Sequence, residues 1–187
     1  MSVALTWEGP IGPGHFPDDP LIFENLCEAG VYLRVKTYAG GRLIAYAGQS
    51  VSLLARFDQH LSAMMALSAP LRDETGAIVF TGDAVARMAA YGNLGAIAPV
   101  AAADTGRVRF WYALCDSYFH IEHLNLVEGL LQRRITERLS DIENAVAAPG
   151  VMPDDVPDQW DNDFSGVDAA SRQVLETLLG DNPMTLP

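Results

Sequence analysis

The chain has 187 residues, of which 49% are hydrophobic and 19% charged, and its formal net charge is −12. This length suits one globular domain with a sizeable core and some extensions. No apolar run reaches the length of a membrane span, no signal-peptide pattern opens the sequence, and two cysteines are too few for a disulfide framework. We therefore expect a cytoplasmic protein that makes no contact with membranes.

The negative charge is concentrated towards both ends of the sequence. Residues 1–29 carry five acids and no Lys or Arg, and residues 151–187 carry eight acids against one basic residue, Arg172. Residues 30–150 carry eleven acids and eleven basic residues, so this middle segment is neutral. Nucleic-acid-binding proteins usually show a basic footprint, and the composition alone does not supply one.

The first 28 residues are predicted to form an extended lead-in and a short helix. Residues 1–18 are rich in Gly and Pro and are expected to be extended. Asp19 is a good N-cap and Pro20 suits the first helical position, which predicts a helix over 20–28.

A β-hairpin is predicted next. Apolar and polar residues alternate from position 31, which is typical of a half-buried strand over about 30–38. The glycines at 40 and 41 then interrupt the pattern, and a second strand is predicted over 42–48. Tyr32 and Tyr46 share one face of this hairpin only if its loop has an odd number of residues, three or five.

The period of the pattern then changes to that of a helix. Ser50 can act as an N-cap, and the apolar residues of 51–68 fall on one helical stripe: Leu54, Phe57, Leu61, Met64 and Met65. Arg56 and His60 are four residues apart, so they are neighbours at the edge of this stripe.

A third strand and a long helix are predicted after residue 106. The aromatic and β-branched run at 107–116 reads as a strand, and a helix is expected over about 118–147. Glu128 lies within the apolar stripe of that helix, where a carboxylate is costly unless it is paired or binds a metal. Glu122 points in roughly the opposite direction and should be solvated.

Two other segments carry no recognisable chemistry. Within residues 69–106 we expect a short strand at 77–80, a helix at 83–91 and a small-residue loop from 92 to 105. Residues 151–164 are rich in Asp and Pro and are expected to be poorly ordered, and residues 167–179 have the spacing of a short amphipathic helix.

The order of these motifs resembles the GIY-YIG nuclease family. Gly30-Val31-Tyr32 matches the first signature tripeptide, Tyr46-Ala47-Gly48 matches the second, and the Arg56/His60 helix follows. The resemblance covers about 30–68 and 107–140. It implies an α/β (α+β) fold with a small three-stranded antiparallel sheet flanked by helices. The domain would span 30–149 with an insertion at 69–106, between an N-terminal extension (1–29) and an acidic C-terminal tail (150–187).

The same resemblance implies a metal-dependent endonuclease that hydrolyses DNA phosphodiester bonds. Glu128 would then bind Mg²⁺ or Mn²⁺, and Arg56 would stabilise the transition-state phosphate. Tyr32 would be the general base or its partner, with Tyr46 and His60 in support. The family often has an asparagine beyond the glutamate, and Asn144 is the nearest candidate.

An alternative from another class stays open, namely a catalytically weak or inactive domain of this type with a structural or protein-interaction role. Ala47 replaces the isoleucine usual in the family, and the acidic flanks disfavour DNA. A protein partner would then use the acidic tail or the 69–106 insertion.

Two other kinds of metal site are less favoured than a site at Glu128. A zinc site of Cys115 with His120 and His123 lacks a second paired motif. His120, His123 and Asn125 have the letters of an HNH nuclease but fall within one predicted helix, whereas a ββα-metal site needs its ligands on separate elements.

Overall fold

The computed structural model describes residues 2–16, 18–139 and 157–185. These residues form a mixed α/β structure with six helices and with sheets of four, three and two strands. The strands are β1 (Ser2–Thr6), β2 (Glu8–Ile11), β3 (Gly30–Thr37), β4 (Leu43–Ser50), β5 (Leu71–Arg72), β6 (Ile78–Phe80), β7 (Val108–Leu114), β8 (Gln159–Asp163) and β9 (Met184–Thr185). The helices are α1 (Pro20–Leu26), α2 (Leu53–Met65), α3 (Ala84–Tyr91), α4 (Leu94–Gly106), α5 (Leu124–Arg138) and α6 (Ala169–Leu179).

The main sheet is antiparallel, with the strand order β2-β7-β3-β4. The three predicted strands are present, but the prediction of a three-stranded sheet was wrong because β2 adds a fourth strand beside β7. Residues 1–18 are therefore not simply a lead-in. Gly9, at φ +108°, permits this pairing, since a Cβ there would come within 2.8 Å of the Phe110 carbonyl oxygen.

Strand β3 lies between β4 and β7 and is buried on both faces from Gly30 to Lys36. The prediction of a half-buried strand was therefore wrong, although the predicted alternation is correct. Val31, Leu33 and Val35 pack into the main core, whereas Tyr32 belongs to a second cluster on the other face. Local periodicity cannot reveal that a polar face will be covered by another part of the chain.

The β3–β4 hairpin has the odd loop length that the sequence analysis required. Thr37 pairs with Leu43, so five residues lie between the paired ends. Gly40 and Gly41 adopt φ values of +71° and +78° in this loop, a conformation that favours glycine. Tyr32 and Tyr46 consequently lie on the same face.

Both predicted site-bearing helices are present, but their N-termini differ from the prediction. The N-cap of α2 is Ser52, whose side chain accepts from the Ala55 N–H, and not Ser50. A 3₁₀ turn at Ile121–His123 precedes α5, so the regular helix begins later than expected. The prediction of one helix that continues to residue 147 was wrong, because α5 ends at Arg138 and its C-cap, Leu139, has an extended backbone. Asn144 lies outside the described residues.

The insertion contains the predicted strand and helix, as β6 and α3, but residues 94–106 form α4 and not a loop. Pro99 and the small residues suggested a loop, whereas the alanines of this segment have the highest helix propensity. Asp104 of α4 is fully buried against β3, where it forms an ion pair with Lys36 at 3.1 Å. The insertion is thereby joined to the sheet.

The described part of the C-terminal segment packs into the main core. Strand β8 runs parallel to β1 and antiparallel to β9, so the expectation of poor order is wrong for residues 159–163. The predicted amphipathic helix is present as α6. The proposed domain boundaries remain a prediction. None of the helices formed by the described residues has the length and apolar character that a membrane crossing requires.

Candidate functional site

The two signature tyrosines lie side by side on the face of the sheet that α2 covers. Their ring centroids are 6.0 Å apart with the planes 21° from parallel, and Phe110 of β7 stacks on the Tyr32 ring at 4.5 Å. Gly48 is opposite Tyr32 in the hairpin register, and any side chain at position 48 would collide with the Tyr32 hydroxyl. Glycine at this position therefore leaves room for the Tyr32 ring.

His60 of α2 contacts the Tyr32 hydroxyl from the side of the sheet that α2 covers. Its Nε2 is 2.8 Å from the Tyr32 hydroxyl, and its Nδ1 is 3.1 Å from a guanidinium nitrogen of Arg34. The ring meets both tyrosine rings in edge-on geometry, at centroid distances of 5.5 Å and 5.1 Å. Burial, followed by the charges of Arg34 and Arg56, lowers the pKa of His60 to about 3, so the imidazole is neutral at ordinary pH.

Arg56 lies one helical turn before His60 and also contacts Tyr32. Its Nε donates to the Tyr32 hydroxyl at 3.1 Å, and its Nη1 donates to Gln59 at 2.9 Å. Burial is the main cause that raises the pKa of Tyr32, with Tyr46 acting in the same direction, and the hydrogen bond and charge of Arg56 oppose the rise. The hydrogen bond to Tyr32 likewise raises the pKa of Arg56.

Glu128 approaches from the other side of the sheet. Helix α5 packs on the apolar face and along β4, the edge strand of the main sheet. The half-buried Glu128 carboxylate accepts from Gln132 Nε2 at 3.2 Å, and the same amide donates to the Ala47 carbonyl at 3.3 Å. Burial raises the pKa of Glu128 and the positive charge of Arg56 lowers it. The charge of Arg56 thus acts on Glu128, although the two residues belong to helices on opposite faces of the sheet.

Four of the five predicted residues therefore form one contact cluster, Tyr32, Tyr46, Arg56 and His60, and Glu128 is coupled to it by charge. The sequence analysis missed Arg34 and Gln132 as members of this site. Arg34 follows Tyr32 by two residues, so it had to share the Tyr32 face. Gln132 follows Glu128 by four residues and is a second polar residue on the buried side of α5.

A separate group of side chains, His120, Glu122 and His123, could hold a metal ion because their ligand atoms lie within 4.8 Å of one another. Glu122 is 63% exposed, in agreement with the prediction that it is solvated. However, His123 Nδ1 already accepts the His120 backbone N–H at 3.1 Å. The neutral His123 ring then carries its hydrogen on Nε2. It offers a metal ion no free lone pair unless the ring turns and its hydrogen bond with the His120 backbone breaks.

No protein-family model matches this chain, and no curated protein or solved structure matches it significantly. The GIY-YIG resemblance therefore remains a prediction from the motifs of the sequence.

Proposed function

We propose that this protein is a metal-dependent endonuclease of the GIY-YIG type that hydrolyses DNA phosphodiester bonds. The observation that carries the proposal is the convergence of Tyr32, Tyr46, Arg56 and His60, from two strands and a helix, on one hydrogen-bonded cluster. Tyrosines on strands are ordinarily packing residues, but here a tyrosine hydroxyl is the shared partner of an arginine and a histidine.

The contacts around Tyr32 suit the stabilisation of negative charge. Making a phenolate near pH 7 costs roughly 4 kcal/mol for an unperturbed tyrosine, and burial in this protein adds to that cost. Arg56 and His60 both approach the Tyr32 oxygen and can hold a charge that develops on it. The remaining donors of the Arg56 guanidinium suit a phosphate oxygen.

Glu128 is the residue that would hold the metal ion. Mg²⁺ is usually bound through one or two carboxylates while it keeps several waters, and a half-buried carboxylate on which the Arg56 charge acts fits that requirement. When bound, the ion supplies positive charge that polarises the phosphate and its water ligands. Gln132 orients the carboxylate, since its amide bonds both Glu128 and the backbone of β4.

Plasmid nicking with Mg²⁺ or Mn²⁺ tests the proposal. We expect cleavage by the wild type, none by Glu128→Gln, and a rate lower by about 10²–10³-fold for Arg56→Ala, the usual effect of removing one charge-stabilising donor. Glu122→Gln is the matched control, because Glu122 is exposed and precedes α5. Activity that is lost in Glu122→Gln and kept in Glu128→Gln would place the metal in the His120–His123 group and overturn the assignment.

One observation favours the alternative role as a protein-interaction module. The insertion exposes several large apolar side chains, among them Val85 at 81% and Met88 at 72%. Two further exposed residues, Ile78 and Val79, line an open apolar hollow of about 460 Å³ between β6, α3 and α4. Under this alternative, wild type and Glu128→Gln would give equal nicking. If sedimentation shows that the wild type self-associates, replacing Val85 and Met88 by Ser should weaken that association.

A further inference from the structure

The Arg34–His60 hydrogen bond determines which nitrogen of His60 carries the hydrogen. An arginine guanidinium has only donors, so the Arg34 nitrogen at 3.1 Å must donate to His60 Nδ1. Nδ1 is therefore the lone-pair nitrogen. A neutral imidazole has a single N–H, and in His60 that hydrogen is on Nε2.

The Nε2–H of His60 is directed at Tyr32. The Tyr32 oxygen is 2.8 Å from His60 Nε2 and also accepts from Arg56 Nε at 3.1 Å. Two donors thus point at one phenol oxygen and occupy its acceptor positions. The hydrogen of the Tyr32 hydroxyl must point elsewhere, and in this arrangement His60 has no lone pair available on the Tyr32 side.

The surroundings of Arg34 fix its guanidinium in the position that the hydrogen bond to His60 requires. Arg34 lies on the central strand β3, its side chain is 8% exposed, and its guanidinium stacks over the Tyr46 ring at 5.1 Å from the centroid. The charged and titratable groups that face His60 are Tyr32 and Arg34 of β3, Tyr46 of β4 and Arg56 of α2. Because Arg34 and Arg56 are both cationic, the surroundings also disfavour an imidazolium.

We propose that Arg34 is a positioning residue that holds His60 in the Nε2–H tautomer, so that His60 donates a hydrogen bond to Tyr32 and cannot take a proton as a general base. The tautomer follows from geometry alone. The consequence for phosphodiester hydrolysis is that His60 supports Tyr32 as a donor, and this part rests on the proposed function.

The tautomer can be measured without any cleavage assay. In full-length protein labelled with ¹⁵N-histidine, long-range ¹H–¹⁵N spectra distinguish the two tautomers, and the His60→Gln spectrum identifies the His60 signals. We expect the Nε2–H form for wild-type His60. We also expect this preference to be lost in Arg34→Met and retained in Arg133→Met, a control on the exposed side of α5.

Two results would overturn the assignment of Arg34. One is an Nδ1–H form of His60 in the wild-type protein, a measurement that stands even if Arg34→Met does not fold. The other is an unchanged His60 tautomer in a folded Arg34→Met protein, which would show that another group selects it.

The nicking assay then tests the donor role of His60. Glutamine retains an N–H donor near the position of Nε2 but cannot take a proton, whereas alanine supplies neither. We expect His60→Gln to cleave at least about tenfold faster than His60→Ala, with His15→Gln and His15→Ala as controls at an exposed site. Equal loss in both His60 variants would overturn the donor role. Absence of cleavage by the wild type would instead refute the proposed function and leave the tautomer result intact.

Discussion

Successive residues of β3 alternate between two faces of the sheet that are equally buried but chemically opposite. Val31, Leu33 and Val35 pack with the apolar side of α5, where contacts are non-directional. On the other face, Tyr32 and Arg34 are joined to α2 by hydrogen bonds of fixed geometry. One strand therefore supplies both the core that stabilises the fold and the rigid support of the candidate site.

The polar face also differs along its length. At the Tyr32 end the polar groups approach one phenol oxygen, and the surrounding charges are cationic. At the Lys36 end, the buried Asp104 carboxylate accepts from Lys36 at 3.1 Å, from Tyr38 at 2.6 Å and from the Arg72 N–H at 3.1 Å. The second group is neutral as a pair and fully enclosed, so it suits a structural role, whereas the first includes two arginines, of which Arg56 is partly exposed.

The largest expected effect is a loss of nicking rate in a Tyr32 variant that keeps most of its stability. Tyr32→Phe retains the ring that stacks on Phe110 but removes the hydroxyl. We expect the nicking rate to fall by about 10²–10⁴-fold, the usual contribution of a proton-transfer group. The free energy of unfolding in urea should fall by only about 1–2 kcal/mol for the lost hydrogen bonds. A Tyr32→Phe protein that cleaves at the wild-type rate would exclude Tyr32 from the chemistry.

The next effect concerns the Lys36 end of the polar face. Asp104→Leu leaves Lys36 buried without its carboxylate, and we expect the free energy of unfolding to fall by about 3–5 kcal/mol. The double variant Lys36→Met/Asp104→Leu should recover most of that loss, because it removes the unpaired charge. Equal destabilisation of the single and double variants in urea denaturation would contradict this interpretation.

The apolar face is expected to affect stability alone. Leu33 is fully buried, so Leu33→Ala should lower the free energy of unfolding by about 2–5 kcal/mol through lost burial and a cavity. The nicking rate per folded molecule should stay at the wild-type value, since the Leu33 side chain faces away from Tyr32. A large loss of rate in the folded variant would show that the two faces are coupled.

The last expected effect is a dependence of stability on pH. His60 is held neutral down to a pKa of about 3, whereas the same group titrates near 6.5 in the unfolded chain. Between these values the unfolded chain binds a proton that the folded chain does not, so the stability contributed by neutral His60 is full above about pH 6.5 and falls as the pH drops towards 3. His60→Gln should flatten this part of the profile in urea denaturation. An identical slope in the variant would contradict the pKa shift.

The sequence by itself determined the elements that obey a local rule. Alternation at positions 31–36 and the glycines at 40 and 41 predicted the hairpin and the shared face of Tyr32 and Tyr46, because side-chain direction in a strand has a period of two. Helical spacing predicted α2, α3 and α6, and it placed Arg56 and His60 on one side of α2.

Only the tertiary structure decided what covers each face. The pairing of β2 with β7 and of β1 with β8 joins residues far apart in the chain, and no local pattern specifies a distant partner. Helix α4 was not predicted because a proline among small residues, here Pro99, is also typical of a loop. Arg34 became part of the site because α2 brought His60 within hydrogen-bonding distance of it. Its strand position was predictable, but its partner depends on how the helix packs on the sheet.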